Sequence, residues 1–137
     1  MKTNLKLGLI LSTLTVLSFG DAVRPTRTND LNCTASLNGE KVGTLSIRAT
    51  AEATQLVLTK GLEKKEILNN APLTVMNEGG DYIQQVSNSL GYNLLLTGEG
   101  LSAFLGGKSP QRVKLTGNIN LFKANKTYEL ACSGTLQ

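Results

Sequence analysis

From Leu31 onward, the chain alternates between short apolar runs and short segments of turn-forming residues. The apolar runs, such as residues 56–58 and 94–96, are too short for their period to indicate helices. Turn segments recur about every ten residues, which is typical of many short antiparallel strands. The turn segments are residues 38–39, 60–61, 69–72, 79–81, 88–91, 98–100 and 106–110. The pattern predicts an all-β fold, either a small antiparallel β-barrel or a β-sandwich of about eight short strands.

The clearest alternation lies in the last two predicted strands. Apolar or small residues occupy every second position over residues 113–121 and again over residues 128–136. Successive residues of a strand point to opposite faces, so each strand has one face for the core and one polar face. The short link over residues 123–126 predicts a hairpin. We expect Leu121 opposite Tyr128 in this hairpin, because that register joins apolar residues to apolar or small ones.

A second hairpin is predicted where the folded part begins. Residues 31, 33, 35 and 37 share one face, and residues 43, 45, 47 and 49 have the matching parity in the return strand. Asn38-Gly39 favours a two-residue turn, but that turn would pair Cys33 with Thr44 on the polar face. We therefore expect a three-residue loop with Gly39 in a left-handed bulge position, which pairs Cys33 with Gly43.

The chain has two cysteines, Cys33 and Cys132, one in the first predicted strand and one in the last. Both lie on core faces by parity. We therefore predict that the first and last strands are adjacent and that a disulfide joins them on the inner side. In the chain-entropy account, a bond that closes a loop of about 100 residues stabilises the fold by ~4–5 kcal/mol.

The N-terminus predicts export. Lys2 and Lys6 precede an apolar stretch over residues 7–17, and small residues suited to cleavage follow it, as in a secretory signal peptide. We therefore expect a signal peptide over residues 1–22, a disordered leader over 23–30 and a single β-domain over 31–137. The apolar stretch is about half of the ~20 residues that a membrane span needs, and we expect no span after signal removal. The predicted location is secreted or periplasmic.

Composition excludes several kinds of chemistry. The chain has no histidine, which removes Ser-His and Cys-His catalysis and the common zinc sites, and the disulfide would occupy both thiols. Gly98, Gly100 and Ala103 mimic the spacing of a dinucleotide loop, but the glycines of residues 106–107 leave no room for the helix that such a loop requires. The net charge of +4 is too mild to indicate nucleic-acid binding. We predict a protein without cofactor or metal that is not an enzyme.

One apolar segment has no place in the alternating strands. It lies between glycines, and its candidate binding residues are Leu101, Phe104, Leu105, Lys108 and Arg112. A mobile loop with an aromatic anchor and nearby positive charge could contact a protein or envelope component. The alternative is that its apolar side chains close one end of the fold. We expect a non-catalytic binding or inhibitor-type domain, or alternatively a structural or assembly subunit of an envelope or extracellular fibre.

Overall fold

The computed structural model describes residues 22–23, 27–62 and 65–137. The predicted signal peptide lies outside the described residues except for its last one, Ala22. The described residues form ten strands, one 3-10 turn at Lys60–Leu62 and one short helix. The elements are β1 (Ala22–Val23), β2 (Asn29–Leu37), β3 (Glu40–Ala49), β4 (Thr54–Leu58), β5 (Lys65–Asn69), β6 (Val75–Asn77), β7 (Asp81–Ser87), β8 (Tyr92–Glu99), α1 (Leu101–Leu105), β9 (Gln111–Leu121) and β10 (Lys126–Leu136).

All strands belong to one antiparallel sheet with the order β1-β6-β7-β8-β9-β10-β2-β3-β4-β5. The sheet curls so that β4 and β5 approach β7 and β8 across the interior. Side-chain hydrogen bonds, rather than a further strand pair, connect these two parts of the sheet. The predicted all-β class is therefore confirmed, in the form of a curled sheet whose two edge strands, β1 and β5, are not paired with each other.

The core fills the inner side of the curl. The longer strands contribute alternate residues to it, and the pattern is regular in β2, β8 and β10. The helix α1 covers one end of the curl, where Leu101 and Phe104 are 0% and 5% exposed. The core includes Leu45, Ile47, Leu56, Leu58, Ile83, Leu94, Leu96, Leu115, Ile119 and Leu130.

The predicted disulfide and the adjacency of first and last long strands are confirmed. Strand β10 pairs with β2, and Cys132 lies directly opposite Cys33 in this pair. The two sulfurs are bonded, and the Cα atoms are 4.0 Å apart. Both residues are buried, at 3% and 4% exposed, so the bond lies on the core side as expected.

The register expected for β9 and β10 is wrong by two residues. Leu121 pairs with Lys126, and Tyr128 pairs with Ile119, so that Cys132 lies opposite Leu115 rather than a glycine. The loop is four residues long, and within it the Asn125 amide donates to the Phe122 carbonyl. A shift of two residues keeps every side chain on its face, so the alternation could not distinguish the two registers.

The loop expected between β2 and β3 is also wrong. Leu37 pairs with Glu40, so Asn38 and Gly39 form the two-residue turn that Asn-Gly sequences favour. The register changes between Ala35 and Ser36, where Val42 has no partner on β2. This β-bulge restores the parity and places Cys33 opposite Leu45.

The structure begins earlier than the predicted boundary at residue 31. Val23 pairs with Val75, and β2 starts at Asn29. Asn29 is buried and exchanges two hydrogen bonds with the backbone of Gln137, at 2.8 and 3.3 Å. These bonds hold the last residue of the chain against the start of β2, so Asn29 and Asp30 belong to the sheet rather than to a leader.

Gly117, at a position that faces the core by parity, allows two neighbouring strands to approach closely. At Gly117 in β9, an added Cβ would lie 1.8 Å from the carbonyl oxygen of Leu95 on the neighbouring strand. Neighbouring backbones can approach this closely only where the side chain is absent. A glycine at position 117 is therefore required for the close approach of β8 and β9.

Candidate functional site

The structure separates the loop residues that the sequence grouped as a candidate site. Leu101 and Phe104 are buried beneath the loop, and Leu105 is half-buried against the core. Lys108 and Arg112 are exposed. Phe104 is therefore not available as an exposed anchor, and the geometry matches the alternative in which this segment closes one end of the fold.

Arg112 borders a shallow depression of about 450 Å³ on the outer face of β8, β9 and β10. Glu99 and Lys114, which are cross-strand partners, line it as well. Positively and negatively charged side chains therefore surround the depression, and they favour neither an anionic nor a cationic ligand.

The middle of the outer face carries small side chains. One row crosses five neighbouring strands in register and consists of Thr44, Thr34, Ala131, Thr116 and Thr97. Such a row suits a solvated face better than a protein contact, which is usually centred on aromatic and arginine side chains.

The exposed large apolar side chains among the described residues lie in two places. Val57, Leu68 and Val86 are on the outer face of strands near the opening. Leu90 and Phe122 are 39% and 40% exposed, and they lie in the β7–β8 and β9–β10 turns. Because the strands are antiparallel, these two turns lie at the end of the sheet opposite α1.

A cleft of about 390 Å³ lies between these turns and the start of β5. Leu90 and Phe122 line it together with Lys65 and Lys123, and none of the described residues around it is acidic. The amide of Phe122 donates to the carbonyl oxygen of Gly91 at 2.9 Å, so the two turns are held to each other.

The charged side chains differ between the two ends of the sheet. We call the end with the β2–β3, β7–β8 and β9–β10 turns the lysine end; its described, exposed charged residues are Lys41, Lys65, Lys123, Lys126, Glu40 and Glu66. We call the opposite end, which contains α1, the helix end. Its loops and strand ends carry Glu52, Glu78, Asp81 and Glu99 against Arg27, Lys108 and Arg112. Among the described residues, the lysine end therefore has an excess of positive charge, and the helix end has a slight excess of negative charge.

Among the described residues, the pKa values of two titratable groups are shifted from their usual values. Burial raises the pKa of the Tyr92 hydroxyl above its usual value, and the hydrogen bond from Asn69 acts in the opposite direction. The Arg48 guanidinium has a raised pKa because it donates to the Asp30 carboxylate at 2.8 Å. This ion pair is more than half exposed, and such pairs contribute little to stability.

Tyr92 belongs to a buried polar network that spans the interior. Its hydroxyl donates to the side-chain oxygen of Gln85 and accepts from Asn69 at 2.8 Å. The side-chain nitrogen of Gln85 donates to the hydroxyl of Thr54 at 3.1 Å and to the carbonyl oxygen of Ala71 at 3.3 Å. These bonds connect β7 and β8 to β4, β5 and the following loop, so we assign the network a structural role.

No family model matches the chain, and no curated protein and no solved structure matches it either. Within the described part of the chain, no helix is long and apolar enough to cross a membrane.

The sequence reasoning missed the lysine end. A signal was present, since Leu90 and Phe122 are large apolar residues inside or beside segments with turn-forming composition. An apolar residue in a turn has no strand parity that would assign it to the core. The sequence did not reveal the strand order that brings the β7–β8 and β9–β10 turns together.

Proposed function

We propose that this chain is an exported, non-catalytic binding protein that holds an anionic partner at its lysine end. The observation that carries the proposal is the cleft between the β7–β8 and β9–β10 turns. It combines the exposed side chains of Leu90 and Phe122 with Lys65 and Lys123, without an acidic residue among its described lining.

The chemistry of this cleft suits binding. Exposed apolar side chains next to charged groups are typical of interaction sites, since apolar contact supplies affinity and charge selects the partner. The basic end would attract an anionic partner, and the more acidic helix end would turn away from it.

Export is supported by the disulfide and by the N-terminal sequence. Disulfides form and persist in secreted and periplasmic proteins and are rare in the cytosol. Cys33 and Cys132 are bonded in the core. We expect a mature N-terminus at Asp21 or Val23, which intact-mass measurement on protein from the native host would test. A mature protein that retains residues 1–19 would contradict export by cleavage.

Binding at the lysine end can be followed with a single fluorophore. The chain has no tryptophan, so Phe122→Trp introduces the only indole. We expect its emission to change when a soluble anionic polymer, polyglutamate, or vesicles that contain phosphatidylglycerol are added. We also expect high salt to reverse the change, since salt screens exposed charges.

Charge reversal identifies the end that binds. Lys123→Glu in the Phe122→Trp background should abolish the response, whereas Arg27→Glu, the matched reversal at the helix end, should leave it unchanged. If Lys108→Glu abolishes the response and Lys123→Glu does not, the binding site lies instead in the segment predicted from the sequence. No response to either anionic probe would refute the proposal.

A second candidate function is an assembly subunit, and the free edge of β5 favours it. Strand β5 pairs only with β4 among the described strands, and Leu68 on its outer face is 61% exposed. Unpaired edges are templates for pairing with another chain. Antiparallel pairing of two copies centred on Leu68 would bring the two leucines together and avoid apposition of the two Glu66 carboxylates.

The assembly candidate has a simple test. Light scattering with size-exclusion chromatography should show concentration-dependent dimers that Leu68→Lys abolishes. A monomer at every accessible concentration would count against assembly through this edge.

A further inference from the structure

We infer that the partner at the lysine end is the surface of an anionic lipid bilayer, with Phe122 and Leu90 entering the headgroup region and lysines contacting lipid phosphates. The inference rests on the proposed function and names the class of partner.

The position of the two apolar side chains supports a surface rather than a deep pocket. Both extend from turns at one end of the sheet, where they are about two-fifths exposed. The hydrogen bond from the Phe122 amide to the Gly91 carbonyl holds the turns together, so the side chains can enter an interface as one unit. Aromatic and leucine side chains are the usual apolar anchors of proteins that lie on a bilayer.

The lysines surround this apolar pair. Lys123 follows Phe122 directly, Lys65 lies across the cleft, and Lys126 begins β10 at the same end. Lysines beside an apolar anchor are attracted to the negative surface of anionic bilayers. Glu66, the second residue of β5, bonds to Gln55 on the adjacent strand, so its carboxylate is directed along the outer face instead of toward the cleft.

The charge distribution gives the bound molecule one orientation. An anionic surface attracts the lysine end more strongly than the helix end, where Glu52, Glu78, Asp81 and Glu99 offset the charges of Arg27, Lys108 and Arg112. In this orientation the sheet stands with its lysine end on the membrane and α1 away from it.

The test uses the Phe122→Trp protein with vesicles of phosphatidylcholine alone and of phosphatidylcholine with phosphatidylglycerol. With the mixed vesicles, we expect a blue shift of the emission and quenching by lipids brominated on the acyl chains. With phosphatidylcholine alone, we expect neither. Leu68→Trp, at the opening of the sheet, is the matched control and should report neither effect.

Vesicle sedimentation of the protein with native Phe122 removes any contribution from the indole. Lys123→Ala should weaken partition into the mixed vesicles about fivefold, the effect of one lysine at an anionic surface. Phe122→Ser should also weaken partition, and Arg27→Ala should not change it. Circular dichroism checks that each variant is folded.

The outcomes separate the two proposals. If the tryptophan at position 122 responds to polyglutamate but neither shifts nor is quenched with mixed vesicles, the lipid inference is overturned and the proposed function stands. If neither probe gives a response, both are overturned. Equal partition into both kinds of vesicle would also overturn the inference, because it requires recognition of the anionic headgroup.

Discussion

Tyr92→Phe tests whether the buried network holds the curled sheet together on its open side. The substitution removes one oxygen and leaves the ring in place. Tyr92 is 0% exposed and belongs to the core, so the packing should be retained. The hydroxyl is the donor to Gln85 and the acceptor from Asn69, so both bonds are lost together.

The expected magnitude follows from the burial of each partner. Gln85 is 7% exposed, and its side-chain oxygen would be left without the Tyr92 donor inside the core. A buried polar atom that loses its partner costs about 1–3 kcal/mol. Asn69 is only half-buried, and water can replace its bond. We therefore expect Tyr92→Phe to lower the free energy of unfolding by about 1–3 kcal/mol.

Urea unfolding followed by far-ultraviolet circular dichroism measures this change. A double-mutant cycle with Gln85→Met isolates the pair, because methionine has a similar length and lacks the amide. We expect a coupling free energy of about 1 kcal/mol between the two positions, since they share a buried hydrogen bond. A change below ~0.3 kcal/mol for Tyr92→Phe, together with no coupling, would refute the role of the network.

Three further predictions follow from the same structure. Reduction of the Cys33–Cys132 bond, which spans 99 residues, should destabilise the fold by about 4–5 kcal/mol and lower Tm by more than ~10 °C; an unchanged Tm with dithiothreitol would contradict this. Gly117→Ala should cost about 3 kcal/mol or more because its Cβ would overlap the Leu95 carbonyl, whereas Thr116→Ala, which faces solvent, should stay within ~0.5 kcal/mol; urea unfolding of both tests the comparison. Because the pKa of Tyr92 is raised in the folded state, the folded state holds the phenol proton to higher pH than the unfolded state does. The protonated phenol therefore contributes stability below pH ~10, and this contribution is lost as the pH rises further. Tyr92→Phe should remove this part of the alkaline loss of stability, and the same dependence of unfolding free energy on alkaline pH in both proteins would contradict the assignment.

The alternation of β2, β9 and β10 predicted the faces of these strands correctly. Cys33, Leu115 and Leu130 are in the core as their parity requires. Parity is a local property, because successive strand residues point to opposite sides whatever the strand pairs with. The disulfide was predicted from the two cysteines of a chain with a predicted export signal, and parity added that both lie on core faces.

The strand registers could not be predicted from parity alone. The β9–β10 pairing differs from the expected one by two residues, a shift that leaves each face unchanged. In the β2–β3 hairpin, the bulge at Val42 restored the parity that the preferred Asn-Gly turn would otherwise have broken. The two-residue turn that Asn-Gly favours and the inward parity of Cys33 were in conflict, and the bulge satisfied both.

The sequence by itself determined the class of fold and the inward faces, because these depend on the period of the side chains along each strand. With two cysteines on inward faces, it also indicated the cross-link. Only the tertiary structure decided where the sheet stays open and which turns meet at one end. Phe122 and Leu90 are 32 positions apart in the sequence. The pairing of β8 with β9 joins their turns and thereby forms the lysine end. Phe104, in contrast, is buried, because α1 packs it into the core. Exposure of a residue in a turn is decided by what the rest of the chain packs against it, and no local pattern contains that information.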